Sequence, residues 1–468
     1  MEGLEISIVP FSYVLEKSDI CRFDSFFYSK NFLYEENLIE KHSNKSLKEL
    51  NAKLLSFGAY SLNNLVEYKN TKIPFIRGIN MKNGILDFSD VIYIDDFAHK
   101  LLWKSEVNPE MILLSMSGTI GDVAIAMPQY KYPMNSNQDI AKIDLRNCNI
   151  NPYFVYAYLC SQYGQNFLKR EARGSVQQHV FLSQIENLRI PIFTDTFQSK
   201  IESLVKSAHA KLEESKSLYS QAEDLLLGEL GLKDWRPKNT LHTTKKFSDF
   251  AQSGRLDAEY YQPKYDEIEK ELARFEQIKI KDFINYPVSS GSTPKAGDSQ
   301  YYADCNDGIP FLRAVDIVES RIDTSDLIYI KKDVHNGLLK RTQLKKGDVL
   351  FSIAGTVGRC GIFDYDFEAN INQAVAILRF EETKLKHLYV VQFFNSRIGQ
   401  LIIQKYARQG LQTNLNLDEL SNLSIPILPE AIQTKIASLI QQSFEYKAQS
   451  KQLLEDAKRM VEAEIEKN

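Results

Sequence analysis

From about residue 47 to 195, and again from 278 to 430, short runs of Val, Ile, Tyr and Phe alternate with Gly, Asn, Asp and Pro. Leu86-Asp-Phe-Ser-Asp-Val-Ile-Tyr-Ile94 and Gly347-Asp-Val-Leu-Phe-Ser-Ile353 are examples. Apolar runs of this length bounded by turn formers predict strands, and the texture as a whole predicts two strand-rich α/β globules. After each globule the period changes. Ile201, Val205, Ala208, Leu212, Tyr219, Ala222 and Leu226 recur at three- and four-residue steps, which predicts one long amphipathic helix. A less regular stripe follows the second globule through Ile432, Ile436, Leu439, Ser443, Tyr446, Leu453, Ala457 and Met460. At ~1.5 Å per residue each helix is about 50 Å long, too long to hide an apolar stripe against one small globule. The two helices are therefore expected to pack on each other as a coiled-coil pair. The competing expectation is that each folds back on its own globule.

The two halves are copies. Arg22-Phe-Asp-Ser-Phe-Phe-Tyr28 matches Arg255-Leu-Asp-Ala-Glu-Tyr-Tyr261, and Ile73-Pro-Phe-Ile-Arg77 matches Ile309-Pro-Phe-Leu-Arg313. Gly118-Thr-Ile-Gly121 matches Gly355-Thr-Val-Gly358, and Asn137-Gln138 matches Asn372-Gln373. Asn187-Leu-Arg-Ile-Pro-Ile192 matches Asn422-Leu-Ser-Ile-Pro-Ile427, and Gln198-Ser-Lys-Ile201 matches Gln433-Thr-Lys-Ile436. The order is kept and the offset stays between 233 and 237, which composition alone does not produce. Because Arg22 to Tyr28 corresponds to a segment that follows the first long helix, the start of the chain is expected to dock near the second one.

With 468 residues, 43% hydrophobic and 25% charged, the chain has room for two or three packed domains and is not of a disordered class. Five scattered cysteines, with no Cys-x-x-Cys pair, read as reduced and mostly buried thiols. With no leader-like or membrane-length apolar stretch, a cytoplasmic location is expected. The net charge is −4, but residues 47–196 and 278–429 each hold one more basic than acidic residue. That balance permits a polyanionic partner without arguing for one.

Chemistry of its own is poorly represented. The seven histidines form no His-x-x-x-His spacing, and no P-loop is present. Asn151-Pro-Tyr-Phe154 approaches the Asn-Pro-Pro-aromatic loop of amino-methyltransferases, but it lacks the second Pro and its repeat, His387-Leu-Tyr-Val390, has neither Asn nor Pro. It reads as a helix start with Pro152 in the first turn. The two Gly-Thr-x-Gly segments could clamp a backbone phosphate, or could be plain turns whose glycines allow close approach.

The Ile-Pro-Phe-[Ile/Leu]-Arg strands, the Gly-Thr-[Ile/Val]-Gly turns followed by Asn-Gln, and the Asn-Leu-x-Ile-Pro-Ile exits resemble the specificity (S) subunits of type I restriction-modification systems over nearly the whole chain. That resemblance implies a fold of two pseudo-symmetric α/β target recognition domains joined by long antiparallel coiled-coil helices. The expected boundaries are an N-terminal segment (1–46), a first recognition domain (47–195), a central helical spacer (196–277), a second recognition domain (278–430) and a C-terminal helical spacer (431–468). It implies a non-enzymatic subunit that recognises a bipartite site on double-stranded DNA. Two globules held ~50 Å apart would touch segments roughly ten to fifteen base pairs apart at ~3.4 Å per pair. The expected partners are methyltransferase (M) subunits, two by analogy, and restriction (R) subunits. This chain would bind no cofactor, with S-adenosylmethionine, ATP and Mg on the partners. A self-contained methyltransferase or nuclease with an S-like portion and a coiled-coil scaffold that never touches DNA are the rival readings. One departure is visible: Gly291-Ser-Thr-Pro294 has no match in the first copy, which has Leu62-Asn-Asn-Leu65 nearby.

Candidate DNA contacts follow from the same positions. Arg77 and Arg313 close the Ile-Pro-Phe strands, Thr119 and Arg359 lie at the Gly turns, and Thr293 and Lys295 flank Pro294. Lys340 and Arg341 belong to the most basic stretch, residues 331–346, where a solvated surface is the plain alternative. Polar loops ahead of each exit strand hold Arg170, Arg173, Gln177 and Gln178 in the first copy and Lys405, Arg408, Gln412 and Asn414 in the second. Arg suits guanine, and Gln or Asn suits adenine, in the major groove. Surface drift after duplication would produce the same differences between the loops.

Overall fold

A computed structural model of the chain describes residues 6–17, 22–56, 73–174, 178–237, 242–408 and 413–467. It divides into two units, residues 1–213 with 447–468, and residues 214–446. Both are mixed α/β and follow one plan. In the first unit, strand Ile140–Asp144 pairs antiparallel with Ile112–Ser115 on one side and Lys53–Leu55 on the other. It is buried along its whole length. In the second unit, Val375–Leu378 lies between Asp348–Ser352 and Ser289–Ser290 in the same senses. A neighbouring sheet sets Ile73–Ile76 parallel to Met134–Ser136 and antiparallel to Ile92–Ile94. Its counterpart sets Ile309–Leu312 parallel to Asn370–Ile371 and antiparallel to Ile328–Ile330. Even the register repeats, with Phe75 opposite Asn135 and Phe311 opposite Asn370.

Over each first sheet lies a pair of helices, Pro152–Cys160 with Gln162–Glu171, and His387–Asn395 with Arg397–Tyr406. Asn151 caps the first of these, its side chain accepting from the Tyr153 and Phe154 backbone N–H groups. The methyltransferase-like tetrapeptide is thus a helix start. Tyr153 to Leu159 are buried on every face of that helix. One core joins this helix to Ile112, Val123 and Ile143 of the sheet and to Ile201, Val205 and Ala208.

The long helices are Asp195–Glu229 and Glu430–Ile465. In the first unit Ile201, Val205 and Ala208 share a core with Leu454, Ala457, Val461 and Ile465. In the second, Ala222 and Leu226 share one with Ile436, Ile440 and Phe444. There Ser215 and Ser443 each donate a hydroxyl to the other's carbonyl at 2.8 Å. Within each unit, then, the start of one helix meets the end of the other, so they run antiparallel, and neither folds back alone on its globule. The second stripe differs from the sequence reading. Ile440, Phe444, Leu454 and Val461 are buried, whereas Leu439, Tyr446, Leu453 and Met460 flank them partly exposed. Two adjacent rows of apolar residues compete for the seam, and the row continuous with Ile436 is the one enclosed.

The start of the chain docks as the repeat implies: Leu38 and Ile39 enter the first core, and His42 Nε2 lies 2.8 Å from the carbonyl of Ile465. Of the four described cysteines only Cys360 is buried, Cys148 and Cys160 being half-buried and Cys305 exposed, so the expectation of mostly buried thiols fails; Cys21 lies outside the described residues. Among the described residues no helix is long and apolar enough to cross a membrane.

Candidate nucleic-acid interface

Strand Ile112–Ser115 runs out into the turn Gly118 to Gly121, and Asp348–Ser352 into Gly355 to Gly358. All four glycines have φ between +75° and +95°, a region that side chains disfavour. Each turn is braced from the second helix of the overlying pair. Gln165 Nε2 donates to the carbonyls of Gly121 and Leu159, both at 2.8 Å. Gln400 Nε2 donates to those of Gly358 at 2.9 Å and Phe394 at 2.7 Å. A Cβ on Gly121 would stand 2.6 Å from Gln165 Oε1, so a side chain there would push the bracing glutamine aside as well as strain φ. The brace leaves Thr119 and Arg359 exposed.

The polar loops are laid beside these turns. Arg173 and His179 exchange backbone hydrogen bonds at 2.8 and 2.7 Å, and Val180 N–H donates to the Met116 carbonyl at 3.0 Å. In the second unit Arg408 and Asn414 pair at 2.7 and 3.1 Å, and Leu415 N–H donates to the Ile353 carbonyl at 2.9 Å. Each loop is therefore pinched at its base and seated on the strand that feeds the Gly turn. The Ile-Pro-Phe strands end at the same place, through Asn137 N–H to Ile76 at 2.9 Å and Asn372 N–H to Leu312 at 3.0 Å. Thr119 Oγ1 lies 3.9 Å from where a Cβ on Gly78 would be.

This neighbourhood gathers Arg77, Thr119, Arg173 and the exposed Gln178 in the first unit, and Arg313, Arg359, Arg408 and Asn414 in the second. Thr293 joins the second group, its Oγ1 accepting from the Gln373 N–H at 3.4 Å, and Lys295 beyond it is exposed. Gly291 packs so closely on the Ile371 carbonyl that a Cβ would fall 1.9 Å from it. Lys340 and Arg341 are exposed on the 3-10 turn Lys340–Thr342, whose Thr342 is buried. Gln177, Gln412 and Leu62 to Leu65 lie outside the described residues.

Two expected DNA contacts are turned inward. Arg170 is buried, donating to the Phe27 carbonyl at 2.8 Å and to Glu36 at 2.9 Å. Lys405 is buried beside Glu269 at 2.5 Å. Their charge is consumed inside the protein, because each helix end meets a segment distant in sequence. Arg77 and Arg313 are half-exposed but committed: Arg77 donates to the Asp90 carbonyl at 2.7 Å, and Arg313 to both Asp316 oxygens at 3.1 and 2.8 Å. They order the turn that follows them. Arg408 keeps a more exposed head, with Nε on Glu419 at 2.9 Å.

Burial disturbs other groups in the first unit, Lys142 and Tyr13 among them. Lys142, fully enclosed in the central strand, is pushed down to about 7 by burial and donates to Ser136 Oγ at 3.0 Å. The Tyr13 phenol is pushed up to about 12 by burial and by the Glu36 carboxylate to which it donates. The Gln165 and Gln400 braces escape a reading of the named motifs. A signal exists, since Ser161-Gln-Tyr-Gly-Gln165 and Ser396-Arg-Ile-Gly-Gln400 recur at the common offset.

The family profile described as "Type I restriction modification DNA specificity domain" matches residues 40–218 and again 273–458. The chain is 22% identical to the type I restriction enzyme EcoBI specificity subunit of Escherichia coli, over 73% of this chain and 68% of that one. It is 25% identical to the MjaIX specificity subunit of Methanocaldococcus jannaschii, over 81% of this chain and 82% of that one. The crystal structure of a type I restriction-modification S subunit from M. genitalium aligns with 90% of this chain and 94% of its own length, at 13% identity and a TM-score of 0.42. With both copies of the repeat matched, most of its length is covered, and the chain belongs to the family of type I restriction-modification DNA specificity subunits.

Proposed function

We propose that each unit reads one half of a split target on double-stranded DNA, and that the long helices carry the docking sites for methyltransferase subunits, two per chain, with restriction subunits joining through them. S-adenosylmethionine, ATP and Mg then act on those partners, and this chain catalyses nothing. The recognition domains follow the boundaries 47–195 and 278–430, with helical spacers over 196–277 and 431–468. The observation that carries this reading is one apparatus built twice: a braced Gly turn beside a pinched polar loop. Its backbone bonds are the same in both units, while its exposed side chains differ. A shared scaffold with unlike reading residues suits two unlike half-sites. Thr119, Arg173 and Gln178 are the proposed contacts in the first unit, and Thr293, Lys295, Arg359, Arg408 and Asn414 in the second. Gln177 and Gln412, outside the described residues, remain proposed contacts on the sequence alone.

Selection from random duplex DNA by the chain co-purified with its methyltransferase subunit tests this. The expected product is two short unlike motifs at a fixed separation. A single uninterrupted motif, or no enrichment, overturns it. The same preparation without its partner should transfer no methyl group from labelled S-adenosylmethionine.

A further inference from the structure

The repeated Arg-x-Asp-x-x-aromatic-Tyr segments form the same device in both units, at a place with a consequence for reading. In the first unit Arg22 Nε donates to Asp24 Oδ2 at 2.7 Å, and Asp24 Oδ1 accepts from the Phe27 N–H at 3.0 Å. Tyr28 donates its hydroxyl to the Arg22 carbonyl at 2.9 Å. This closes a tight loop around the Arg22 guanidinium, whose side chain is only 12% exposed. Arg22 Nη1 then donates to the carbonyl of Arg170 at 2.9 Å, at the end of helix Gln162–Glu171. In the second unit Arg255 Nε donates to Asp257 at 2.6 Å, Tyr261 donates to the Arg255 carbonyl at 2.9 Å, and Arg255 Nη1 donates to the Tyr406 carbonyl at 3.0 Å. Tyr406 ends helix Arg397–Tyr406. Each clip therefore caps the last carbonyls of the helix from which the polar loop springs, two or three residues before the loop's pinched base.

The grip is doubled by the side chains of the helix end. The Arg22 and Arg170 guanidinium groups lie 4.6 and 4.2 Å from the Phe27 ring, and Arg170 returns a bond to the Phe27 carbonyl at 2.8 Å. Around Tyr260, Arg255 and Lys405 stand at 4.9 and 5.1 Å. In the second unit the far side of the loop is tied in as well, because Glu419 Oε1 accepts from Arg255 at 3.5 Å and from Arg408 at 2.9 Å.

We propose that these clips are specificity-positioning elements: each fixes the base of the polar loop in its own unit, the Arg173–His179 pair in the first and the Arg408–Asn414 pair in the second, so that Arg22 governs one half-site and Arg255 the other. Base discrimination needs side chains held to a fraction of an ångström, whereas attraction to phosphates tolerates motion. Loosening a clip therefore costs discrimination and leaves general DNA affinity in place.

The inference rests on the split-site reading, and one titration separates the two. The complex with the methyltransferase subunit is titrated by fluorescence anisotropy with its selected site, with single-mismatch versions of each half, and with unrelated DNA. If the unaltered complex fails to discriminate in both halves, the split-site reading itself falls. Given that it does, Arg22→Ala should lower the cognate-to-mismatch ratio about tenfold in one half and by less than about twofold in the other, with affinity for unrelated DNA unchanged. Arg255→Ala should show the opposite half. Arg22→Lys, which keeps a donor for the Arg170 carbonyl, should recover part of the ratio. Loss in both halves together, or in neither, overturns the proposal. Should Arg22→Ala also lower affinity for unrelated DNA, the unit has unfolded, and Tyr28→Phe and Tyr261→Phe decide. Removing the tyrosine hydroxyl that closes each clip must reproduce the same opposed pattern at smaller size.

Discussion

In the first unit the helix end beneath the polar loop is held by Arg170, with its guanidinium enclosed between Phe27 and Glu36. In the second unit the matching pair is Lys405 with Glu269. The Glu36 side chain is 18% exposed and the Glu269 side chain 45%. The ion pair is thus conserved through the duplication while its burial is not. A buried pair resists loss of one partner far more than an open one, because the abandoned charge has no water to turn to. The Arg170 fork also donates to the Phe27 carbonyl, whereas the compact ammonium of Lys405 donates to Glu269. Arg170→Ala is therefore expected to destabilise the first unit by about 3 kcal/mol. Lys405→Ala should cost the second only about 1 kcal/mol once solvent screening of Glu269 is allowed for. Hydrogen exchange read separately in each unit checks this. Equal losses would mean that the pairs do the same job and that burial does not separate them.

The central strands differ in the opposite direction. Lys142 stands opposite Leu113, and its repeat counterpart Ile377 stands opposite Leu350. One strand thus encloses an amine where the other encloses a methyl-rich side chain, and that amine donates to the Ser136 hydroxyl. Burial lowers the folded-state pKa of Lys142 to about 7, while the unfolded chain holds its proton up to about 10.5. Between those values the unfolded state binds more protons, so the first unit should gain stability as pH rises from 7 towards 10 and show no such gain below 7. Lys142→Ile should erase that slope and raise stability at pH 7 by about 2 kcal/mol, the lost Ser136 bond being offset by the removed burial of an amine. Denaturant titration at several pH values, followed by exchange in the first unit, would show it. An isoleucine variant that keeps the slope would place the titration elsewhere.

Much of this was legible in the sequence, and what escaped had a physical reason. Period and punctuation located both globules and both long helices, and the recurrence of Gly-Thr-x-Gly identified turns whose φ values demand glycine. Arg170 and Lys405 were misread because a basic residue at a helix end looks the same facing solvent or facing another segment. Nothing local announces Glu36, 134 residues away. The repeat does hold that information: Glu36 and Glu269, Arg170 and Lys405, and Arg22 and Arg255 all recur at offsets of 233 to 235. Three charges that recur together are better explained by mutual contact than by a shared ligand. Gln165 escaped because its partner is a backbone carbonyl, so only the recurrence of Gln165 as Gln400 at the common offset marks it.

The 3-10 turns Trp103–Ser105 and Lys340–Thr342 offer the mildest contrast and the most direct test of where DNA lies. Both follow a leucine whose carbonyl accepts from a buried asparagine, Asn135 to Leu102 and Asn370 to Leu339, each at 2.9 Å, so the backbones match. Yet one turn presents Trp103 and Lys104 to solvent and the other Lys340 and Arg341. If the turn faces phosphates, the second unit gains cations there and the first gains at most Lys104. Replacing Lys340 and Arg341 together by alanine should reduce the slope of log affinity against log salt by about 1 to 2, and weaken binding evenly across sequences. Trp103→Ala should leave the slope alone. Because counterion release responds to phosphate contacts and hardly to base contacts, an unchanged slope in the double variant would remove this turn from the interface. The pinched loops and braced Gly turns would still stand as the reading surface.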